Sequence, residues 1–445
     1  MLPLRDSPAP LHTANAPGRH TWPEAPAALP TAPPIPTGVI APDTLLAIRD
    51  VLLPFSVTRL LFILISLTAP WWMATFHLQP LISRYGGGPH AGWSRWDAVW
   101  YMRLAIDGYQ QAPYPQGAAF FPLYPLILHL WLGVWPWPRW LAAVMLSNLC
   151  SAGAFVALHR LLAHELGRAR AVRTVWLLAL FPTSLFLFAG YAEALFLLCL
   201  FLCLYRVRQQ RWWAAGLCGG LAAATRPMGI ILIVPFLIAW CQAHRALLRQ
   251  GATRLLGLCM SPWRHAPRRA GSSDPTAWSL AAAALVPGGI VAYMLYLTVR
   301  FGQPLLFASS QRAWHRAFTA PWRTLRVSFD LQAAHPPAIS VLGLLESQNS
   351  IYTLVFLALS VPATATLARA HGSFLWLVWA MILSTPAISD HYGSPLMGLP
   401  RYLLAAYPLL IFLAGTIRRA AITAALCLPL LILNTAVYLS GGWVA

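Results

Sequence analysis

The chain has 445 residues, 58% hydrophobic and 10% charged, against about 25% charged in a soluble domain, which excludes a soluble globular protein. Backbone polar groups need internal partners in lipid, and the long apolar runs lack the alternation of barrel strands, so the fold class is an all-α polytopic membrane protein. The net charge of +19 comes from arginine alone; positive-inside placement and attraction to anionic membrane lipids account for it, and no nucleic acid is expected as a partner.

Residues 1–44 are rich in Pro and Ala and hold no apolar signal core, so they are expected to form a disordered cytoplasmic tail. Residues 45–445 form the membrane domain. A crossing needs about 20 apolar residues. Candidate spans are 45–68, 118–136, 139–163, 171–189, 191–207, 212–226, 228–243, 278–299, 351–369, 373–388, 400–416 and 420–439, giving a bundle of about 10–12 transmembrane helices. Arginine-rich segments around 205–212, 243–269 and 417–420 read as cytoplasmic, which puts the loops 70–117, 300–350 and 389–400 outside. The Arg-rich stretch 159–173 also reads as cytoplasmic and conflicts with two crossings between 118 and 163. Either one of those segments is re-entrant or this stretch departs from the rule.

In the first outer loop, "SRWDAVWYMRLAIDGY" (94–109) reads as a short interfacial helix over 95–107. Ser94 and Asp97 have capping-box spacing, and Gly108 with Pro113 marks the stop. Trp96, Trp100 and Arg103 share one face, and Asp97, Tyr101 and Leu104 share the next. Asp97 has two readings. It is a first-turn acid favoured by the helix dipole, or a carboxylate that takes a proton from a hydroxyl. Farther on, Pro122 and Pro125 break a helix entry, and Tyr124 between them could donate a hydrogen bond on the outer side.

Only twelve acids occur, and six (Asp97, Asp107, Glu193, Asp330, Glu346 and Asp390) map to the outer face or outer span ends. Ionisable groups at membrane depth are functional candidates. Glu193 follows Tyr191 at a span end, as an interfacial residue or a substrate contact. Arg226, before Pro227, needs an anion on the outer side, either a phosphate or Glu193. At 300–318, Arg312 and Arg316 share a face at helical spacing, beside Gln311 and His315. This is either an interfacial helix with snorkelling arginines or a cationic mouth for a lipid-linked phosphate. Arg401 opens a span on the outer side and also calls for an anion. The seven cysteines lie mostly in apolar runs, with no zinc spacing. There is no phosphate loop, HExxH, GxSxG or Rossmann fingerprint. No metal or cofactor is expected.

The blocks "RWDAVWYMRLAIDGY", "AAFFPLYPLI", "LFPTSLFLFAGYAEALFLL", "ATRPMGI", "FGQPLLFASSQRAWHR" and "GLPRYLLAAYPLLIFLA" resemble, in this order, the PIG-V group of mannosyltransferases. That group comprises GPI mannosyltransferase II and its prokaryotic relatives within the GT-C glycosyltransferases, and the resemblance covers about residues 45 to 420. It implies a GT-C-like catalytic domain and a polyprenyl-phosphate (dolichyl-phosphate-type) mannose donor. It further implies a lipid or glycan acceptor and inverting transfer to an α-mannoside on the non-cytoplasmic face. The acid of the first outer loop in GT-C enzymes corresponds to Asp97, and Trp96 to the aromatic before it. Tyr191–Ala192–Glu193 stands where eukaryotic members show Tyr-Ser-Glu. The proposed donor-phosphate ligands, Arg226, Arg312, Arg316 and Arg401, come from charge placement and not from the resemblance. The alternatives are a GT-C transferase of another lipid-phosphate sugar, and a lipid or polysaccharide transporter. A transporter would favour internal repeats and midplane charges.

Overall fold

A computed structural model describes residues 41–75, 92–109, 115–134, 138–245, 275–314, 319–334, 351–352, 354–367, 396, 398–442 and 444. The tail to residue 40, most of the Arg-rich loop 243–269, the candidate span 373–388, and His315, Arg316, Glu346 and Asp390 lie outside the described residues. Among those described there is no strand. The helices that matter below are α1 (Ala41–Thr75), α2 (Asp97–Asp107), α3 (Leu123–Val134), α4 (Arg139–Leu166), α5 (Arg168–Leu180), α6 (Glu193–Arg208), α7 (Trp212–Thr225), α8 (Ile233–Ala243), α9 (Leu285–Phe301), α10 (Tyr407–Thr416) and α11 (Ala420–Leu439).

The chain is an all-α polytopic membrane protein, as its composition requires. Four described helices are long and apolar enough to cross a membrane: Thr44–Thr75, Arg139–Leu166, Trp278–Phe301 and Ala420–Leu439. The pair Leu399–Ala405 and Tyr407–Thr416, bent by 75°, adds a fifth if it is one broken span. α1 runs beyond the expected 45–68, so residues 70–75 are helical and not loop.

α3 resolves the conflict between 118 and 163. Its 12 residues reach about 18 Å, too short for a hydrocarbon core of about 30 Å. The region therefore makes one crossing, along α4. Ion pairs fix the direction of that crossing. Asp50, near the start of α1, meets His159 Nε2 near the end of α4 at 3.0 Å and takes two 2.6 Å hydrogen bonds from Arg168 at the start of α5. At the same level Arg208, the last residue of α6, meets Glu165 of α4 at 2.5 Å. α1 and α4 are therefore antiparallel, and this end of the bundle is ionic. Glu193 begins α6 and Arg208 ends it, which separates their levels by about 22 Å.

The core is built around α4 and α6. α6 is buried nearly all round, including Phe196, Phe201 and Tyr205. α7 packs on α9 through small residues. Gly216 and Gly220 are one turn apart on α7, and a Cβ on Gly289 of α9 would run into the Gly220 carbonyl oxygen and the Ala224 nitrogen. This close backbone approach is favoured between helices in lipid.

Candidate active site

Four charged side chains from distant parts of the chain meet at the end of the bundle opposite Asp50. Asp97 is the first residue of α2, and the residue before it, Trp96, takes φ 55°, ψ −121° with no side-chain cap. The capping-box expectation is corrected accordingly: Ser94 does not cap, and the helix starts at Asp97 and not at 95. Gly108 closes α2 as expected, at φ 66° with its N–H donated to Leu104 O. A left-handed tryptophan costs about 1–3 kcal/mol and persists only where its surroundings over-determine it. Here Tyr191 Oη donates to Arg95 O at 3.1 Å, and Tyr438 Oη donates to Trp93 O at 3.4 Å. Trp93 itself is pinned by its indole N–H to Ser66 Oγ at 2.8 Å and by the Phe188 ring at 4.5 Å.

Glu193 opens α6 straight after the stretch 181–192, which holds no α-helix and one 3₁₀ turn, Ser184–Leu187. Pro227 bars its predecessor from helical backbone. α7 therefore stops at Thr225, and Arg226 is extended (φ −152°, ψ 141°) with its Nη2 donating to Glu193 Oε1 at 2.6 Å. Arg401 sits in the single turn Leu399–Tyr402, entered through Gly398 at φ 86° and Pro400. Its Nη1 donates to Asp97 Oδ2 at 2.5 Å, and its Nε lies 2.9 Å from Glu193 Oε1. The result is a chain, Asp97–Arg401–Glu193–Arg226, walled by aromatic rings. The Arg401 guanidinium carbon is 5.5 Å from the Phe186 ring centre, 5.6 Å from Tyr191 and 5.3 Å from Tyr402; that of Arg226 is 5.0 Å from Tyr402.

The four differ in access. Glu193 and Arg401 side chains are 3% exposed and Arg226 11%, but Asp97 keeps 17%. Asp97 is thus the most open member of the chain, and the one an incoming hydroxyl can best reach. Of the two anions expected for Arg226, Glu193 is the one it meets here. Arg401 finds its anions in Asp97 and Glu193.

The other expected site residues divide in two. Tyr101 is 4% exposed, edge-on to Phe120 and Tyr124 at 5.2 and 5.0 Å. Burial pushes its phenol well up, so it is a protonated wall on the buried face of α2. Tyr124 is fully buried, donates to Ala143 O at 3.1 Å and pairs with Ser147 Oγ at 2.9 Å. Its expected outward hydrogen bond is corrected, because the hydroxyl ties α3 to α4. Tyr191, also buried, spends its hydroxyl on Arg95 O and so positions Asp97 from behind. Gln311 and Arg312 lie in the tight 3₁₀ turn Ser310–Trp314, half-buried and exposed respectively. Arg316, expected on one face with Arg312, lies outside the described residues. The turn is parked beside α2, because the Trp314 ring meets Trp100 at 5.3 Å and Phe120 at 5.7 Å. Among the described residues no group of three or more His, Cys, Asp or Glu could hold a metal ion.

Sequence reasoning missed Arg95, whose Nε and Nη1 are shielded and make no hydrogen bond among the described residues. It had a signal, since it adjoins Trp96 and Asp97. It also missed Tyr438 and Phe186, which look like any aromatic in an apolar run.

Residues 75–256 match the model of a family described as Mannosyltransferase (PIG-V). Among curated proteins, the chain is similar to GPI alpha-1,6-mannosyltransferase 2 of Rattus norvegicus, at 33% identity over 186 residues, which is 38% of this chain and 37% of the relative. The enzyme of the same name from Cricetulus griseus is 34% identical over 161 residues (34% and 32%), and the human one 30% over 161 residues (34% and 32%). The chain thus spans about a third of the length of the curated relatives it matches. No solved structure matches. Over the matched segment, which holds Asp97, Glu193 and Arg226, the chain is PIG-V-like.

Proposed function

We propose that this PIG-V-like membrane protein is a mannosyltransferase that moves mannose from a polyprenyl-phosphate donor to a lipid-linked or glycan acceptor on the non-cytoplasmic face. The observation that carries the reading is the open carboxylate of Asp97, held at the mouth of an otherwise buried ionic chain by Arg401. The acceptor hydroxyl gives its proton to Asp97 as its oxygen bonds to the anomeric carbon. The bond from that carbon to the donor phosphate breaks on the opposite face, and the polyprenyl phosphate leaves with the electron pair. The leaving group departs as an anion, so fixed cations at the site do more for the transition state than a general acid would. Counting charges supports this. Asp97 and Glu193 balance Arg226 and Arg401, and Arg95 next to Asp97 adds one cation with no carboxylate partner among the described residues.

Two features support the non-cytoplasmic side. Arg206, Arg208 and Arg211 cluster at the far end of α6 from Glu193, and Arg418 and Arg419 sit between α10 and α11, beyond the end of the span that Arg401 opens. Arginines gather on the cytoplasmic side. The relatives' name specifies an alpha-linked product, which inversion of a β-linked donor supplies. Inversion also suits a site with one accessible carboxylate among the described residues, because double displacement needs a second close one.

The test presents membranes holding the full chain with polyprenyl-phosphate donors carrying labelled mannose or labelled glucose. Label from the mannose donor in a lipid or glycan fraction is the expected result. Transfer from the glucose donor alone would reassign the sugar, and no transfer from either would overturn the reading.

A further inference from the structure

α1 carries an arginine where lipid-crossing helices avoid one. Arg59 lies midway along the span Thr44–Thr75 and is 7% exposed. A charge at the centre of a crossing helix is costly to insert. Such a charge is normally paired with an acid, but no carboxylate meets Arg59 among the described residues. Its partners are all neutral. Nε donates to Asn148 Oδ1 at 2.9 Å and Nη1 to Thr58 Oγ1 at 3.0 Å, while Nη2 donates to Ser151 Oγ at 2.5 Å and to Leu187 O at 3.2 Å. The guanidinium also lies over the Phe55 ring at 4.2 Å.

These bonds converge on one object, the stretch 181–192 just before Glu193, which holds no α-helix and one 3₁₀ turn, Ser184–Leu187. Such backbone survives at membrane depth only if protein groups take its carbonyls. Leu187 O is taken by Arg59. Phe188 O is taken by Asn148 Nδ2 at 3.1 Å, and Arg59 holds the Asn148 side chain. Tyr191 O is taken by Ser147 Oγ at 3.1 Å. From Tyr191 the line continues through its hydroxyl to Arg95 O, two residues before Asp97. A methionine could fill the space without a charge. What it could not do is reach four neighbours in fixed directions, as the planar guanidinium does.

We propose that Arg59 is a positioning residue for the transfer reaction: it clamps the 187–191 turn so that Glu193 and, through Tyr191, Asp97 stand in register. It touches neither donor nor acceptor. The inference rests on the mannosyltransferase reading for its kinetic test and has a second test that does not. A displacement of about 1 Å at the reacting groups can cost about 100-fold in rate, whereas donor binding draws on other residues. Arg59→Met should therefore lower kcat about 10-fold or more, counted per folded molecule, with the donor KM changed by less than about 3-fold. Arg59→Lys, with fewer and less directed donors, should recover part of the loss.

The measurement pairs transfer kinetics of the full chain in nanodiscs with amide hydrogen exchange of the same samples. The expected pattern is faster exchange over 187–193 and 93–98 in Arg59→Met, with α9 unchanged and partial return in Arg59→Lys. A wild-type rate per folded molecule in Arg59→Met would overturn the proposal, as would exchange rising evenly along the chain, the mark of a merely stabilising residue. If the wild type transfers no mannose, the functional reading falls and the exchange pattern alone decides the role of Arg59.

Discussion

Replacing Asp97 with asparagine is expected to slow mannosyl transfer by about 10²–10⁴-fold, the range by which a positioned general base accelerates a reaction. The substitution preserves shape. The amide oxygen of the new side chain could still accept from Arg401 Nη1, which now bonds Asp97 Oδ2, so α2 keeps its place while proton acceptance is lost. The stability cost should stay within that of one charge-assisted hydrogen bond, about 1.5–3 kcal/mol. Initial rates per folded molecule separate the two effects, and an undiminished rate would remove Asp97 from the base role. Asp97→Glu sharpens the test. A residue present only to favour the helix N-terminus tolerates it, whereas a base placed by Arg401 and the 93–96 turn loses much of its rate.

Arg401→Met carries the largest expected stability effect. Arg401 is 3% exposed and joins two acids, one of them also 3% exposed. Removing one partner of a buried ionic pair costs about 3–5 kcal/mol, because the remaining charge is left uncompensated. Arg226 still holds Glu193 Oε1 at 2.6 Å, so the damage should fall mainly on the tie between Asp97 and α6. The double variant Asp97→Asn/Arg401→Met should recover part of the loss, because the acid left without its cation is then neutral. Thermal or denaturant unfolding in detergent checks both. An Arg401→Met protein within about 1 kcal/mol of wild type would mean that the chain of charges is open to water.

Local chemistry was the legible part of this molecule. Pro227 after Arg226 predicts where α7 stops, and the structure ends α7 at Thr225. Glu193 was already one of two anions offered to Arg226. The Arg401–Asp97 pair joins residues 304 apart in sequence, and nothing in a uniformly apolar run says which distant turn it will meet. The capping box failed because tertiary bonds to Arg95 O and Trp93 O hold Trp96 left-handed, overriding the local signal of Ser94. Hydropathy also counted α3 as a crossing. Its 12 residues, of which Tyr124, Pro125 and Leu128 are buried, are apolar enough to read as a span but too short to cross. Helix length separates the two, and it becomes visible only once the chain is folded.

Direct displacement is the reaction expected of a site whose described residues offer one accessible carboxylate. It is tested most directly by the anomeric configuration of the product formed from a β-linked polyprenyl-phosphate mannose. A product cleaved by α-mannosidase and resistant to β-mannosidase is the predicted result. A β-mannoside would contradict it, because retention would require a second carboxylate to act on the sugar, and Glu193 is closed in by Arg226 and Arg401.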